Sequence, residues 1–404
     1  ISVSAFLLNR SSDLLVSGAW VISKEPWMQS IKAINNAKLR IGYGLSGSQA
    51  GIDAYNSIQL VQPNGVTPYN SSIATTLGVL RNANPDLKWE VKKTFNVGLD
   101  VTLWDNRIAM TIDFYKSKTT DMLYLYTVPV PPYPYDKLLA NLGSMQNSGL
   151  EIGFGITPLR TKDMELTVNM NWTFERNKLL SLNGYYNGQY LTAPQSSTIS
   201  SLWGAGFHGP SGIVKQIVGE QIGIFMLPHF KGLITLEDDT KYYDVTDESY
   251  NCGQAMPKAM MGSNVAFRYK HFDVTMQFNG AFGHKIYNGT ALTYSNLLSM
   301  PNYNMMKGAP EKNLVSQIIS DYYLENGDYV NIDYVTLGWN VPLRSKYVQG
   351  LRVSLSVNNL ATITGYSGMT PMINSSLING TLGIDDKNML PVYRSYTMGI
   401  SIKF

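Results

Sequence analysis

The residue types that most often carry out catalysis or bind metal ions are few in this sequence, and they stand far apart. The four histidines lack the spacing of a metal site. A single cysteine, Cys252, excludes an internal disulfide framework and a cysteine-based zinc site. Phosphate-binding, metalloprotease and nucleophile-elbow motifs are missing from the sequence. The sequence therefore predicts no catalytic residue, no metal site and no cofactor.

The acidic run at 237–239 is a weak exception, because carboxylates attract calcium. It lacks the ligand spacing of an EF-hand loop, so we interpret it as a solvated loop. A pair of carboxylates for glycoside hydrolysis stays an open alternative, since the separation that defines such a pair is set only in three dimensions.

Aromatic and amide side chains in the segments between predicted strands suggest ligand binding instead. Flat aromatic faces stack on sugar rings, and amides hydrogen-bond hydroxyl groups. The same side chains can bind a peptide backbone or pack the loops together. Few charges accompany them, which disfavours a strongly anionic polymer as ligand. The candidate substrate contacts are Tyr185, Tyr186, Tyr190, Trp203, Tyr294, Asn296 and Tyr303.

The elements that would position these residues are strands, because apolar and polar residues alternate strictly in several stretches. The stretch 94–103 alternates in this way, Asp105 and Asn106 predict a tight turn, and the alternation resumes at 108–115. The pattern places Leu99, Met110, Met170, Val353 and Ile400 on one face of a sheet, and Asp100, Asp113, Asn169 and Arg352 on the other. An apolar face towards lipid and a polar face towards a lumen is typical of a transmembrane β-barrel.

The lengths of the connections alternate as well. Short joins are predicted at 105–106, 158–163, 270–271 and 342–350, and long joins at 47–93, 117–148, 177–262, 283–328 and 360–393. Bacterial outer-membrane barrels combine short periplasmic turns with long outer loops. The connection at 9–13 is short where a long one is expected.

Composition agrees with an all-β membrane protein but does not prove one. Hydrophobic residues make up 44% of the 404 residues and charged residues 15%, against about 25% in average soluble proteins. The net charge of +3 gives no argument for nucleic acid as a partner. A large secreted or cell-surface protein with two-sheet domains is the alternative, but it does not explain strands of about ten residues combined with alternating join lengths. The final residue, Phe404, closes an alternating strand and is expected to be the signal read by the barrel-assembly machinery.

Several short motifs, kept in order along nearly the whole chain, resemble those of the SusC/RagA-like TonB-dependent transporters. The clearest are NPDLKWE at 84–90, NVGLD at 96–100, the run at 106–123, NLGSMQNSGLE at 141–151, GHKIYN at 283–288, YLENGDY at 323–329 and the segment 358–368.

The resemblance implies that residues 1–404 are the C-terminal portion of a 22-stranded antiparallel barrel, with about twelve strands here and with the plug domain and TonB box outside this chain. It implies an integral protein of the Gram-negative outer membrane that imports nutrients and is not an enzyme. The partners implied are a SusD/RagB-like surface lipoprotein, TonB–ExbB–ExbD, the barrel-assembly machinery and outer-membrane lipid. Oligosaccharides are the expected substrate. Oligopeptides, or a passive porin-like or adhesion barrel, are the alternatives.

Overall fold

The structure is a computed structural model that describes residues 2–7, 14–53, 55–202, 211–301, 303–373, 382–386 and 392–404. In chain order its strands are β1 (Ser2–Leu7), β2 (Leu14–Val21), β3 (Ile34–Ser48), β4 (Leu60–Tyr69), β5 (Ser72–Arg81), β6 (Glu90–Leu103), β7 (Ile108–Thr127), β8 (Lys137–Arg160), β9 (Met164–Ser181), β10 (Gly184–Tyr186), β11 (Gln189–Leu191), β12 (Ser196–Leu202), β13 (Ser211–Ile217), β14 (Ile224–Thr235), β15 (Lys241–Gln254), β16 (Ala259–Tyr269), β17 (Phe272–Phe282), β18 (Lys285–Asn288), β19 (Leu324–Asn326), β20 (Tyr329–Val341), β21 (Gly350–Thr364), β22 (Ile384–Asp385) and β23 (Ser395–Lys403).

The helices within these ranges are short. They are the α-helices α1 (Gly289–Tyr294) and α2 (Ala309–Lys312), and the 3-10 helices Ile22–Lys24, Leu297–Ser299 and Asp321–Tyr323.

Within the described residues, no helix combines the length and apolar character needed to cross a membrane.

One antiparallel sheet dominates the fold and confirms the predicted number of strands. It has twelve strands in the order β1-β2-β3-β6-β7-β8-β9-β16-β17-β20-β21-β23 among the described residues. Each strand pairs with the next strand of this sheet along the chain, so the sheet is an antiparallel meander in which several neighbouring strands are connected by long joins. The predicted turn after β6 is confirmed, because Asp105 and Asn106 have φ of 53° and 59°. The turn at 270–271 is confirmed too, with Lys270 at φ 53°.

Most predicted joins are confirmed, but the long join at 117–148 is wrong. Strand β7 has 20 residues and β8 has 24, and they pair from Ile108↔Ile156 to Thr127↔Lys137. The actual join is the short segment 128–136. Strands β7 and β8 extend well beyond the length that is needed to cross a membrane. Beyond the membrane their residues no longer alternate between lipid and water, so the end of the alternation does not mark the end of the strand. The connection at 9–13, where a long one is expected, lies outside the described residues.

The pairing register confirms that the two predicted residue sets lie on opposite faces of the main sheet. Across the strands, Leu99 pairs with Ile112 and Gly98 with Asp113, so the apolar and polar rows continue from strand to strand. Aromatic residues border the apolar face at two levels. Phe272 stacks on Trp339 at the end with short turns, with ring centroids 6.0 Å apart, and Trp172 stacks on Phe282 at the end with long joins, at 5.6 Å.

The spacing of these aromatic residues suits a membrane. Phe272 and Phe282 are the first and last residues of β17. Ten residues of strand span about 33 Å, which becomes about 25 Å across a bilayer at the usual tilt of a barrel strand.

The largest hydrophobic cluster of the described residues lies in the long joins rather than in the main sheet. It draws buried side chains from the joins 182–258, 283–328 and 365–394, among them Leu202, Leu292 and Ile384. The parallel pairing Tyr287↔Ile384 ties the second of these joins to the third. We call the described residues of these three joins the loop layer.

Candidate functional site: the lumen face and the loop layer

Charged residues on the polar face of the main sheet form networks that cross three strands. Arg40 on β3 donates through Nε and Nη2 to the Asp100 carboxylate at 2.8 and 2.9 Å, and through Nη2 to Asp113 at 3.0 Å. Gly98 lies between these side chains, and a Cβ there would stand 2.2 Å from Asp113 Oδ1. The glycine therefore leaves the space in which arginine and aspartate meet over the middle strand.

A second network repeats this arrangement at the other side of the sheet. Arg352 on β21 donates to Asp273 on β17 through Nη1 at 2.5 Å and Nη2 at 2.7 Å, across the intervening β20. Gly338 on β20 leaves the space, since a Cβ there would stand 2.2 Å from Arg352 Nη2. A face with such networks is suited to water and polar solutes, whereas the opposite face is suited to lipid.

The loop layer contains an aromatic cluster that sequence reasoning missed. The rings of Phe230, Tyr243, Tyr322 and Tyr323 contact one another, with Phe230 and Tyr322 centroids 4.7 Å apart. The hydroxyl groups of Tyr243 and Tyr323 hydrogen-bond each other. Burial raises the pKa of Tyr243 to about 12. The cluster joins β14 and β15 to the 3-10 helix Asp321–Tyr323, so it holds two long joins together.

Three predicted contact residues lie on the small hairpin formed by β10 and β11. Tyr185 and Tyr190 face each other across it, with centroids 4.9 Å apart in an edge-to-face arrangement. Their side chains are 73% and 53% exposed, so both rings are accessible to a ligand. Tyr186 points the other way, and its hydroxyl donates to Asn84 Oδ1 at 3.0 Å. The hairpin thus offers Tyr185 and Tyr190 as a pair, while Tyr186 anchors it.

The other predicted contact residues have different environments in the structure. Tyr294 ends α1 and lies edge-to-face against Tyr303 with centroids 6.3 Å apart. Asn296 is 0% exposed, and its amide donates to the carbonyls of Leu292 and Thr293. Its side chain therefore supports the loop from inside and is not accessible to a ligand. Trp203 lies outside the described residues.

A further group combines residues that the sequence presents as unrelated. His229 on β14, Cys252 on β15 and Asp321 place their ligand atoms within 4.8 Å of one another. His229 Nδ1 lies 2.6 Å from Asp321 Oδ2, and the His229 ring stacks on Tyr250 at 4.5 Å. Burial, together with the charge of Asp321, raises the pKa of the Cys252 thiol. Sequence spacing carries no signal for this group, because its members are brought together by strand pairing and by the distant helix.

The join between β3 and β6 carries an exposed apolar ribbon made of β4 and β5. The pairs Pro63↔Leu77, Val66↔Thr75 and Pro68↔Ile73 give it one mostly apolar face. Ile73, Val66 and Leu77 are 77%, 69% and 67% exposed. No charged residue occurs between 60 and 80. An uncharged apolar face of this kind marks an interaction surface.

Comparison with known proteins agrees with this architecture. The sequence profile of the family described as TonB dependent receptor-like, beta-barrel matches residues 30–360. The TonB-dependent receptor P3 of Formosa agariphila is 27% identical over 448 residues, covering 99% of this chain and 43% of that protein. The TonB-dependent receptor SusC of Bacteroides thetaiotaomicron is 26% identical over 416 residues, covering 95% of this chain and 39% of that protein.

The fold is shared with solved structures. The RagAB peptide transporter superposes with a TM-score of 0.72 at 21% identity, covering 97% of this chain and 43% of that chain. This chain spans less than half the length of these two receptors. The match over most of the chain confirms the family resemblance seen in the motifs. The chain belongs to the TonB-dependent receptor-like β-barrel family, whose members are outer-membrane proteins of Gram-negative bacteria and transporters rather than enzymes.

Proposed function

We propose that this chain is the C-terminal part of a 22-stranded importer that takes up oligosaccharides across the outer membrane, energised by TonB–ExbB–ExbD and assisted by a SusD/RagB-like surface lipoprotein. One observation supports it above the others. A sheet with a lipid-suited face and a charged face carries, at its long-join end, a packed layer of joins with exposed aromatic rings. This combines a water-lined wall with a ligand-binding mouth.

Energised import depends on a plug and a TonB box that are not among these residues. The test is uptake of a labelled oligosaccharide by cells that carry the full-length protein, with and without functional TonB. Uptake that stops without TonB supports the proposal. Uptake that continues unchanged identifies a passive channel and overturns the energised mechanism.

The exposed pair Tyr185 and Tyr190 favours an oligosaccharide as the substrate. The two rings are accessible and uncharged, and their apolar faces suit the C–H faces of a sugar ring. No Asp, Glu, Lys or Arg occurs between 179 and 214, the stretch that contains the hairpin β10–β11, which favours a neutral oligomer.

Calorimetry on the full-length protein with its lipoprotein tests this choice against neutral oligosaccharides and mixed peptides. We expect the double variant Tyr185→Ala, Tyr190→Ala to weaken oligosaccharide binding about tenfold to a hundredfold, since each lost stacking contact costs about 1 kcal/mol. Tyr347→Ala is the matched control, because Tyr347 is 84% exposed but lies in the short turn at the opposite end of the sheet. Binding of peptides alone would overturn the oligosaccharide assignment and leave the transporter assignment intact.

The apolar ribbon of β4 and β5 supports the lipoprotein partner. A two-stranded ribbon is only marginally stable in water by itself, so burying its apolar face against another protein would stabilise it. Its freedom from charge matches the core of a protein–protein interface. We expect Ile73→Asn with Leu77→Asn to release the lipoprotein during purification. Thr67→Asn, on the opposite and polar face of the ribbon, is the control. Retention of the lipoprotein by both variants would remove this support.

A further inference from the structure

The loop layer brings together an imidazole, a thiol and a carboxylate, which the transport proposal does not use. His229, Cys252 and Asp321 come from three separate segments, and their ligand atoms lie within 4.8 Å of one another. Each is a good ligand for a first-row transition metal. Contrary to the expectation from the sequence, we propose that His229, Cys252 and Asp321 form a zinc site with a single sulfur ligand, and that it clamps the join 182–258 to the join 283–328.

The carboxylate and the imidazole are held in position by their surroundings. Asp321 Oδ1 accepts a hydrogen bond from the backbone N–H of Phe230 at 2.7 Å, which directs Oδ2 towards His229 Nδ1 at 2.6 Å. The imidazole packs on Tyr250 with an angle of 16° between the ring planes. In natural metal sites, contacts of this kind to the ligating side chains hold them in the orientation that the ion needs.

The distances suit an ion of this size after a small opening of the group. Zinc binds nitrogen and oxygen at about 2.0–2.2 Å and sulfur at about 2.3 Å, so its tetrahedral ligands stand about 3.3–3.7 Å apart. The ligand atoms here are already within 4.8 Å, and the histidine–aspartate hydrogen bond would be replaced by bonds to the metal. Rotation of side chains alone can supply shifts of this size.

The chemistry of the three ligands favours zinc over the alkaline-earth ions. A sulfur and a nitrogen ligand are poor partners for calcium and magnesium, which prefer oxygen. With the thiol deprotonated by the metal, thiolate and carboxylate together carry two negative charges, which balance a divalent ion. The side chain of His229 is 47% exposed, so a water molecule can complete the coordination.

The position of the group gives the metal a structural role. His229 and Cys252 lie on the paired strands β14 and β15, whereas Asp321 begins the 3-10 helix just before β19. The clamp would therefore join two loops of the ligand-binding mouth beside the aromatic cluster, where ring contacts and the hydrogen bond from Phe230 N–H to Asp321 already connect them.

The test uses the full-length protein with its lipoprotein, stripped with a chelator and then titrated with Zn²⁺ in competition with a chromophoric chelator. We expect one zinc ion per chain. Titration with Co²⁺ should produce an absorption band from charge transfer between thiolate and metal, which requires Cys252 as a ligand. Cys252→Ser and His229→Gln should each weaken zinc binding about a hundredfold and Cys252→Ser should abolish the cobalt band. His271→Gln, in an exposed short turn, should change neither.

Heat modifiability of each variant checks that the barrel is folded, so a lost site is not confused with a lost protein. Zinc binding below one ion per chain in the folded wild type would overturn the proposal, as would binding that Cys252→Ser leaves unchanged. Neither outcome depends on oligosaccharide uptake, so the zinc site and the transport proposal fail or stand separately.

Discussion

Arg352 and Asp273 lie on strands that are not neighbours, and their side chains meet over Gly338 on the strand between them. The arrangement of Arg40, Gly98 and Asp113 repeats this relationship, with its middle strand β6 six positions away from β20 in the sheet order. In both places, a side chain at the glycine position would collide with the arginine and aspartate side chains that occupy this space. Each network binds three strands together on the lumen face.

Gly338→Ala is expected to separate Arg352 from Asp273 and to destabilise the barrel by about 1 kcal/mol, the usual scale for a partly exposed ion pair. The measurement is the midpoint of heat modifiability. Because the alanine and Asp273→Asn would remove the same interaction, their effects should not add in the double variant. Gly262→Ala is the matched control, since nothing lies within 4 Å of a Cβ at that position. Additive effects would contradict the shared interaction.

The two faces of β17 predict opposite effects for the same substitution. Met276 lies on the apolar face midway between Phe272 and Phe282, and the neighbouring Thr275 lies on the polar face. An arginine on the lipid side at mid-depth costs about 2–4 kcal/mol, so Met276→Arg should reduce the yield of folded barrel strongly. Thr275→Arg should assemble normally. Equal yields would refute the assignment of the faces. Ile400 is less suitable for this test, because pairing through Val353 sets it level with Trp339 in the aromatic row.

Deletion of Phe404 is expected to slow assembly without weakening the assembled barrel. The last strand keeps its register without it, since Lys403 pairs with Gly350, and the Phe404 side chain is exposed. Membrane yield should therefore fall, while the heat-modifiability midpoint of the inserted fraction stays the same. Phe404→Trp keeps a terminal aromatic ring and should restore the yield. An unchanged yield after the deletion would rule out an assembly role.

The buried carboxyl group of Asp385 predicts a pH dependence in the loop layer. Burial raises its pKa, although it accepts hydrogen bonds from Tyr366 Oη at 2.5 Å and Thr290 Oγ1 at 3.0 Å. A raised pKa means that the folded layer prefers the protonated form. Its stabilising effect is complete below the ordinary carboxyl pKa and is lost as pH rises through the raised value.

Hydrogen exchange of the segments around 285–290 and 365–370 should therefore become faster as pH increases over that window, after correction for the intrinsic rate. Asp385→Asn carries no titrating group and should remove the dependence. A variant that keeps the wild-type pH profile would show that another group is responsible.

The main sheet could be predicted from the sequence because each strand faces lipid on one side and water on the other. Strict alternation of apolar and polar residues follows directly from that difference. The sequence did not predict β4, β5 or β12–β15, because strands in the joins face protein or water rather than lipid and their alternation is weak. The end of β7 was misplaced for the same reason.

The candidate site was predicted less completely. Tyr185 and Tyr190 are exposed, whereas Asn296 is buried. The sequence could not distinguish them, because all three are polar or aromatic residues in predicted loops. Asn296 follows α1 closely, and its bonds to carbonyls of that helix are a local signal for a structural role. His229, Cys252 and Asp321 lie close together only because two long joins pack against each other. No local sequence pattern predicts that packing.

The shared core of the loop layer has a consequence for motion. Leu202, Leu292 and Ile384 come from three different joins and lie in one cluster. A movement of one join must therefore carry the other two or break their common packing. The three joins at the mouth of this barrel would therefore move together when a ligand binds. A molecule that contacts only one join would still change the conformation of all three.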